Sequence, residues 1–444
     1  MSEESSLFGL NVIGFASANV GLGNTVRQFV DCFHARGEKI RILDINTIPG
    51  NTGFDKSLEE WFVLSASDLP YAINLSIFGA THVVDFISNL PDGLQFNDRL
   101  NVGFVWWELT SIPQYMIDAM KVFDVLVAGS DFIHSTLSNN INGIPILRAS
   151  HPVSISEDIR SNRKRFKLPE NRFIAFMGFD PHSNINRKNP YAAIEAFKLA
   201  FPDCPDCHLA IKVNYSGGGG IDLEDSLNRL RAYVDSDSRI QLIQESLTYY
   251  DLLCLYASCD VFISLHRAEG LGLVPLEAMR LGKPVVATAW SGNMSFMNYC
   301  NACLVESNLI PIEASTPTYG SDSLGIKCKW AEPDIKQAAA WLRKLFDDPE
   351  FRLQLGLRAV TDSNKYHEQA RKAEFIDELK VIWENRELLP KRNRGLLINQ
   401  ARDSKRRFEY EKYLSKMSPI DKIVHKVKKE LDRHLLWRFR KNKV

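Results

Sequence analysis

The feature that most constrains the fold is an alternation of short apolar runs with helical patterns, which occurs twice along the chain. Six apolar runs typical of buried strands lie between Leu10 and Leu147, and six more lie between Phe173 and Val305. Helical patterns, such as Thr25 to Ala35 and Pro190 to Phe201, separate them. This alternation is typical of βαβ units, whose strands form a parallel sheet covered by helices. The sequence therefore predicts an α/β fold with two tandem Rossmann-like, doubly wound domains.

A polar, basic stretch after His151 and Pro152 separates the two series and lacks apolar periodicity. We therefore predict domains at residues 1–155 and 170–365, a helix at 366–390 that crosses back towards the first domain, and a helical tail at 391–444. Ligands of such sheets bind at the carboxyl ends of the strands, where loops enter helices. Two facing sheets therefore predict a cleft lined by two sets of these loops.

The predicted tail differs from the rest of the chain in charge. The formal net charge is zero, but residues 387–444 contain 18 Lys and Arg against 7 Asp and Glu, which leaves an excess of +11 there and −11 elsewhere. Apolar residues recur near helical spacing in its last part, at Ile420, Ile423, Val424, Val427, Leu431 and Leu435. This pattern predicts a basic amphipathic helix that binds an anionic membrane surface. A partner helix and a solvated tail remain alternatives, and we expect no nucleic acid.

Several classes of protein are disfavoured by simple features of the sequence. The first 15 residues lack a signal peptide's basic and apolar regions, and no run approaches the roughly 20 apolar residues that span a bilayer, so we expect a cytoplasmic protein. The CxxC pairs Cys204/Cys207 and Cys300/Cys303 are too far apart for a zinc ribbon, which favours structural thiols. Asp235-Ser236-Asp237 has the DxD pattern of some metal sites but lies in a polar turn. We therefore predict no metal site and no cofactor.

The segment that indicates chemistry is residues 259–292, CDVFISLHRAEGLGLVPLEAMRLGKPVVATAWSG. Here a predicted strand ends at Ser264, and a glycine-containing loop leads into a helix. Free backbone N–H groups from Gly270 to Val274, with the positive end of the helix dipole, are suited to a diphosphate. Glu269 and Glu277 flank the same loop, and carboxylates accept hydrogen bonds from sugar hydroxyls. An isolated pair of acids at this spacing would more often be solvated, but the surroundings favour a site.

This segment closely resembles the donor site of the family 4 retaining glycosyltransferases, which have the GT-B fold of two Rossmann-like domains. The family's E-x7-E motif matches Glu269 and Glu277, and the resemblance extends over most of the first 360 residues. It implies that Glu277 binds the nucleotide ribose and that Glu269 lies near the transferred sugar. The loop that it implies for donor binding consists of Gly270, Leu271, Gly272, Leu273 and Val274.

Other matches are weaker. The turn in GFASANVGLGNTVRQF resembles the family's first glycine-rich turn, which implies that Gly21 and Gly23 approach the donor phosphates or the acceptor. Arg27, one turn into the next helix, is expected to point towards the cleft. His266 occupies a variable position before Glu269, where it can touch the sugar or serve a structural role.

The cations and the first-domain residues match only in part. Lys188 matches the family's phosphate-binding Lys, but Phe179 stands where the family has an Arg. Arg187 is our candidate replacement because a guanidinium suits phosphate oxygens, and Lys212 is a third candidate. The family's first-domain His has no clear counterpart. His82 and Glu108 are therefore candidates for the acceptor or sugar site on the first domain, residues 1–155, which we expect to lie on the acceptor side.

The resemblance implies transfer of a hexose from a nucleotide diphosphate sugar, with retention and without metal. The segments HRAEGLGL and TAWSGN resemble those of family members that build bacterial surface polysaccharides such as O-antigen. We therefore expect mannose from a GDP- or UDP-linked donor, a glycan or lipid-linked oligosaccharide acceptor, and peripheral binding at the inner face of the membrane.

Alternative functions are less consistent with these motifs. A dinucleotide-dependent oxidoreductase requires GxGxxG after the first strand, and GLGNTV departs from it. A non-catalytic GT-B scaffold and a sugar-nucleotide epimerase remain alternatives.

Overall fold

A computed structural model describes residues 8–45, 55–215, 220–418 and 420–421. The first domain is a six-stranded sheet flanked by helices. Its strands are Leu10–Gly14 (β1), Ile40–Asp44 (β2), Ile73–Gly79 (β3), Leu100–Trp106 (β4), Val125–Ala128 (β5) and Ile146–Arg148 (β6), and its helices are Gly21–Ala35 (α1), Ala80–Ser88 (α2), Gln114–Met120 (α3) and Asp131–Asn140 (α4).

The second domain repeats this organisation. Its parallel strands are Phe173–Phe179 (β7), Cys207–Val213 (β8), Ile240–Ile243 (β9), Val261–Ser264 (β10), Val285–Thr288 (β11) and Cys303–Val305 (β12). The helices between them are Ile185–Lys188 (α5), Pro190–Ala200 (α6), Gly220–Val234 (α7), Tyr249–Ala257 (α8) and Leu273–Arg280 (α9).

Both six-stranded sheets are parallel, with the orders β2-β1-β3-β4-β5-β6 and β12-β11-β10-β7-β8-β9. These strands are apolar along most of their length because both faces are covered, and every residue of β4 is buried. The strand order reverses between β1 and β3 in the first sheet and between β7 and β10 in the second. The predicted α/β fold with two tandem Rossmann-like domains is confirmed.

An antiparallel ribbon of Ser307–Pro311 (β13) and Lys329–Pro333 (β14) follows the second sheet, and its connection contains the short helix Ser321–Leu324 (α10). The sequence pattern does not predict this ribbon. Leu309 is exposed although it lies within β13, and neighbouring residues are only partly buried, so the strand lacks the alternation that would reveal it.

The chain then returns to the first domain through Ile335–Asp347 (α11), Pro349–Arg371 (α12) and Phe375–Glu384 (α13). The ring of Phe375 lies 6.0 Å from each of the rings of Phe29, Phe33 and Phe104, all in the first domain. The hydroxyl of Tyr366 in α12 accepts a hydrogen bond from the backbone N–H of His151 at 3.2 Å. These contacts fix the end of the second domain against the first.

The last described helix, Arg394–Ser415 (α14), packs on α2 and α3 of the first domain. The ring of Phe408 stacks on that of Tyr115 at 4.2 Å, and Arg394 pairs with Asp124. Ile420 is exposed, and the rest of the predicted amphipathic pattern, from Ile423 to Leu435, lies outside the described residues. Among the described helices, none is both long and apolar enough to cross a membrane.

Candidate functional site

The loops that leave β7 and β10 lie side by side, because these two strands are neighbours where the sheet order reverses. Such a reversal opens a crevice at the carboxyl ends of the strands. Asn184 and Asn189, both with positive φ, bound the short helix α5 in the loop after β7. The Asn184 carboxamide accepts from the N–H of Arg187, and the Asn189 carboxamide donates to the carbonyl of Leu265 at 3.0 Å. The loop after β7 is thereby fixed against the exit of β10.

The loop after β7 places two cationic side chains beside Glu269. Lys188 Nζ lies 2.6 Å from one carboxylate oxygen, and an Arg187 terminal nitrogen lies 3.2 Å from the other. Arg187 also donates to the carbonyls of Ala268 at 2.7 Å and Ser183 at 3.0 Å. The structure therefore brings together three of the predicted site residues in one buried cluster.

The cluster keeps Glu269 ionised. Burial alone would raise the pKa of this carboxyl, but the adjacent Lys188 and Arg187 charges outweigh it and lower the pKa to about 2. Burial also disfavours the charge on Arg187, yet its acidic neighbours keep its pKa above the ordinary value. A carboxylate and two cations thus share a small volume at the edge of the second sheet.

The loop from Glu269 to Gly272 enters α9 with a geometry that depends on glycine. Gly272 has φ of 88° and precedes the first residue of the helix. A Cβ on Gly292 would lie 2.1 Å from the carbonyl oxygen of Gly270. The loop after β10 and the segment after β11 that contains Gly292 therefore pack backbone to backbone. The Ser291 hydroxyl accepts from the Glu269 N–H at 2.8 Å, and the Glu269 carbonyl accepts from the Gly292 N–H at 2.9 Å. The predicted loop therefore lies at the start of a helix, beside Glu269.

Glu277 lies within α9 and is 2% exposed. The Tyr249 hydroxyl donates to one of its oxygens at 2.8 Å. Burial raises the pKa of Glu277 to about 8, although the hydrogen bond from Tyr249 acts in the opposite direction. Glu277 is therefore neutral over much of the physiological pH range, whereas Glu269 is ionised.

The first domain contributes its glycine-rich turn. A Cβ on Gly23 would lie 2.1 Å from the carbonyl oxygen of Ala18, whereas one on Gly21 would meet open space. Arg27 remains a predicted residue of the cleft. Its guanidinium donates to the carbonyls of Ala16 and Ala18 at 2.7 and 3.0 Å and pairs with Asp55 at 3.3 Å, so it stabilises its own turn.

Glu108 follows β4 and meets the second domain. Its carboxylate accepts a hydrogen bond at 3.0 Å from the hydroxyl of Tyr319, which lies in the connection between β13 and β14. The Arg187 guanidinium lies 5.8 Å from the centre of the Tyr319 ring. Glu108 is therefore joined through Tyr319 to the cluster at Glu269.

His82 lies near the start of α2, in the same part of the first domain. Its ring is 5.1 Å from that of Phe15, and its buried Nδ1 has no hydrogen-bond partner among the described residues. Burial lowers the pKa of His82, while the charges of Asp85 and Glu108 partly oppose this. The structure therefore places His82 near Glu108, on the first-domain side of the cleft.

Two other candidates have partners outside the cluster. His266 is fully buried, and its ring nitrogens face the hydroxyl of Ser264 at 2.9 Å and the Asn293 carboxamide oxygen at 3.1 Å, so it packs the base of the loop. Lys212 donates to the carbonyl of Val213 at 2.8 Å, and its acidic neighbours are Asp180 and Glu245. Both side chains have partners within the protein, and their contacts with the donor stay predictions.

Tyr249 and Tyr319 were not predicted from the sequence. Tyr249 is the first residue of α8 and follows the carboxyl end of β9, a position that could have identified it. Tyr319 lies in the connection between β13 and β14, and no motif marks it.

Groups suited to metals are scarce in the described part of the chain. No cluster of three or more His, Cys, Asp or Glu side chains suited to a metal occurs among those residues. The sulfur atoms of Cys204 and Cys207 are 3.1 Å apart, and Asp237 pairs with Arg239 at 2.7 Å.

Comparison with known proteins agrees with this geometry. Residues 172–311 match the family model of the group 1 glycosyl transferases. The structure is similar to sucrose-phosphate synthase from Thermosynechococcus elongatus, with a TM-score of 0.60 and 12% identity over 85% of this chain and 100% of that one. It is also similar to HepE from Anabaena, solved in complex with UDP and glucose, with a TM-score of 0.56 and 13% identity over 84% and 99%. Residues 172–311 thus match the group 1 glycosyl transferases and the chain has a GT-B fold, in agreement with the family resemblance.

Among individual proteins, the chain is similar to the serotype-specific mannosyltransferase WbdA of Escherichia coli. The two are 36% identical over 216 residues, which cover 48% of this chain and 22% of WbdA. The similarity therefore spans less than a quarter of that relative.

Proposed function

We propose that this protein transfers a hexose, with mannose favoured, from a nucleotide diphosphate sugar to a glycan acceptor. The observation that carries this proposal is the cluster of Glu269, Lys188 and Arg187 at the start of α9. It places a carboxylate for sugar hydroxyls and cations for phosphates at the reversal point of the second sheet. The similarity to a mannosyltransferase supports the choice of sugar.

In this proposal the diphosphate binds between Lys188 and the backbone of Gly272, Leu273 and Val274. The first-turn N–H groups of a helix and its dipole stabilise negative charge that develops on the leaving group. Lys188 then exchanges part of its ion pair with Glu269 for phosphate oxygens, which frees Glu269 to accept from the sugar. Arg187 is assigned a positioning role, since it already holds the Ala268 carbonyl and the Glu269 carboxylate.

The chemical step breaks the bond between the anomeric carbon and the diphosphate oxygen and forms one to an acceptor oxygen. The acceptor's proton leaves with the nucleotide diphosphate. We propose retention at the anomeric carbon and no metal, because Lys188 and the loop amides supply the positive charge that a metal would otherwise provide. Glu108 and His82 are proposed to face the acceptor or the sugar from the first domain.

We further propose a lipid-linked acceptor in bacterial surface polysaccharide synthesis, reached from the cytoplasm at the inner face of the membrane. The excess of +11 charges over residues 387–444 supports this. Basic segments of this kind bind anionic lipid surfaces with about 1 kcal/mol per Lys or Arg near the surface.

A donor panel tests the proposal. The purified chain is mixed with GDP-mannose, UDP-glucose, UDP-N-acetylglucosamine and dTDP-rhamnose, and its melting temperature is measured. A donor at about 100 times its Kd should stabilise the folded state by about 2.7 kcal/mol. We expect GDP-mannose to give the largest shift.

Glu277→Ala should abolish that shift, whereas Glu332→Ala, which removes a partly exposed carboxylate outside the cluster, should retain it. If none of the donors stabilises the wild-type chain, the donor-site proposal fails and a non-catalytic scaffold is favoured.

A further inference from the structure

Tyr249 occupies a position that no motif assigns. It begins α8 and lies at the same edge of the sheet as Lys188 and Glu269, because β9 belongs to the same parallel sheet. Its hydroxyl donates to Glu277 at 2.8 Å, and the side chain of Asn24 lies near it. Asn24 belongs to the glycine-rich turn of the first domain, so Tyr249 joins the two domains at Glu277.

The bond to Tyr249 restricts the orientation of the Glu277 carboxyl. The terminal torsion of a glutamate is broad and does not by itself fix the plane of the carboxyl group. With one oxygen held by Tyr249, the plane is set, and the second oxygen remains for a ligand hydroxyl. A site that is oriented before binding loses less conformational freedom when the ligand arrives.

We propose that Tyr249 is the positioning residue that orients Glu277 for the nucleotide ribose and, through Asn24, couples the ribose site to the first domain. This inference rests on the proposed function, in which Glu277 binds the ribose. It adds a residue and a connection between domains that the E-x7-E motif does not contain.

The effect of Tyr249 on Glu277 can be measured through the pH dependence of nucleotide binding. Tyr249 and Tyr256 approach it from α8, and Arg27 from α1 and Arg280 from α9 lie near the Tyr249 hydroxyl. The hydrogen bond from Tyr249 lowers the pKa of Glu277, whereas burial raises it. Loss of the hydroxyl should therefore move the ionisation of Glu277 to a higher pH.

The test is calorimetric titration of the full chain with GDP and with UDP across a pH series. Tyr249→Phe should weaken the tighter-binding nucleotide about tenfold, the usual effect of losing a hydrogen bond to a carboxylate. It should also raise the pH at which the affinity reaches its plateau. Tyr250→Phe is the matched control, since Tyr250 is the next residue of α8, is 46% exposed and donates only a long hydrogen bond of 3.3 Å to the Asp158 carbonyl.

A double-mutant cycle tests the connection to the first domain. Asn24→Ala should weaken nucleotide binding about threefold in the wild-type background and leave it unchanged in Tyr249→Phe, because coupled residues are not additive.

The outcomes separate the two proposals. If the wild-type chain binds neither nucleotide, the proposed function fails, and this inference fails with it. If the wild type binds while Tyr249→Phe keeps both the affinity and the pH profile, the inference alone is overturned. Equal losses in Tyr249→Phe and Tyr250→Phe would also overturn it, since they would indicate a general disturbance of α8.

Discussion

The two sides of the cleft are built differently. On the second-domain side, Glu269, Lys188 and Arg187 contact one another, so each functional group is held by its charged neighbours. On the first-domain side, Glu108 accepts a hydrogen bond from Tyr319, and His82 has a buried nitrogen without a partner among the residues that the structure describes. In the proposed function, the second-domain side is a donor side that is organised before the ligand arrives, and the first-domain side is an acceptor side that is completed by the ligand or by the other domain.

The largest effect should follow from removing the cation on the donor side. Lys188→Ala should reduce kcat/KM for sugar transfer by about 1000-fold, because electrostatic stabilisation of a leaving group commonly contributes that much. The measurement is transfer from GDP-mannose, or from whichever donor the panel identifies. Lys198→Ala, at a lysine in α6 that contacts Tyr233 and Ser236, should retain activity. Comparable losses in both variants would contradict a specific role for Lys188.

The donor side should also be a determinant of stability. Glu269→Gln leaves Arg187 and Lys188 buried without their shared carboxylate, and breaking a buried ion pair typically costs about 3 kcal/mol. Urea unfolding should therefore show a large loss. Glu332→Gln removes the partner of Arg267 in a more exposed pair and should cost less than about 1 kcal/mol. Equal costs would remove the distinction between a preorganised cluster and an ordinary surface pair.

A substitution on the acceptor side should separate transfer from donor binding. Glu108→Gln should lower the rate of sugar transfer about 100-fold, at the lower end of the range for a positioned acid or base. It should leave nucleotide affinity nearly unchanged, because the contact of Glu108 with the second domain is through Tyr319. Tyr319→Phe measures how much of any effect comes from that hydrogen bond alone. A large loss of nucleotide affinity in Glu108→Gln would show that the two sides are not separable.

Nucleotide affinity should rise with pH up to about pH 8 and then reach a plateau. Burial raises the pKa of Glu277 to about 8 in the free protein, and ribose hydroxyls donate to the ionised carboxylate. Below that pKa a proton must leave before binding, so affinity should fall by up to tenfold per pH unit, or about 1.4 kcal/mol. Calorimetry in buffers of different ionisation enthalpy should detect the released proton. A flat profile would contradict binding by the carboxylate form.

Much of this site could be predicted from the sequence because its parts are local. Glu269, the glycine loop and Glu277 follow one another within a strand, loop and helix, so short-range spacing was enough to place them. The hydrogen bonds of Arg27 and His266 could not be predicted, because their partners belong to the folded turns around them. Tyr319 was missed because it acts across the cleft from a ribbon without alternating apolar residues. Contacts between distant segments leave no periodic signal in the sequence.

The most direct test of the central claim is a crystal structure of the full chain with bound GDP-mannose. The account predicts that the diphosphate lies at the start of α9 beside Lys188, that the mannose hydroxyls contact Glu269, and that the ribose contacts Glu277 while Tyr249 keeps its hydrogen bond. A nucleotide sugar bound elsewhere, with the Lys188 and Glu269 pair intact and the loop before α9 free of phosphate, would contradict it.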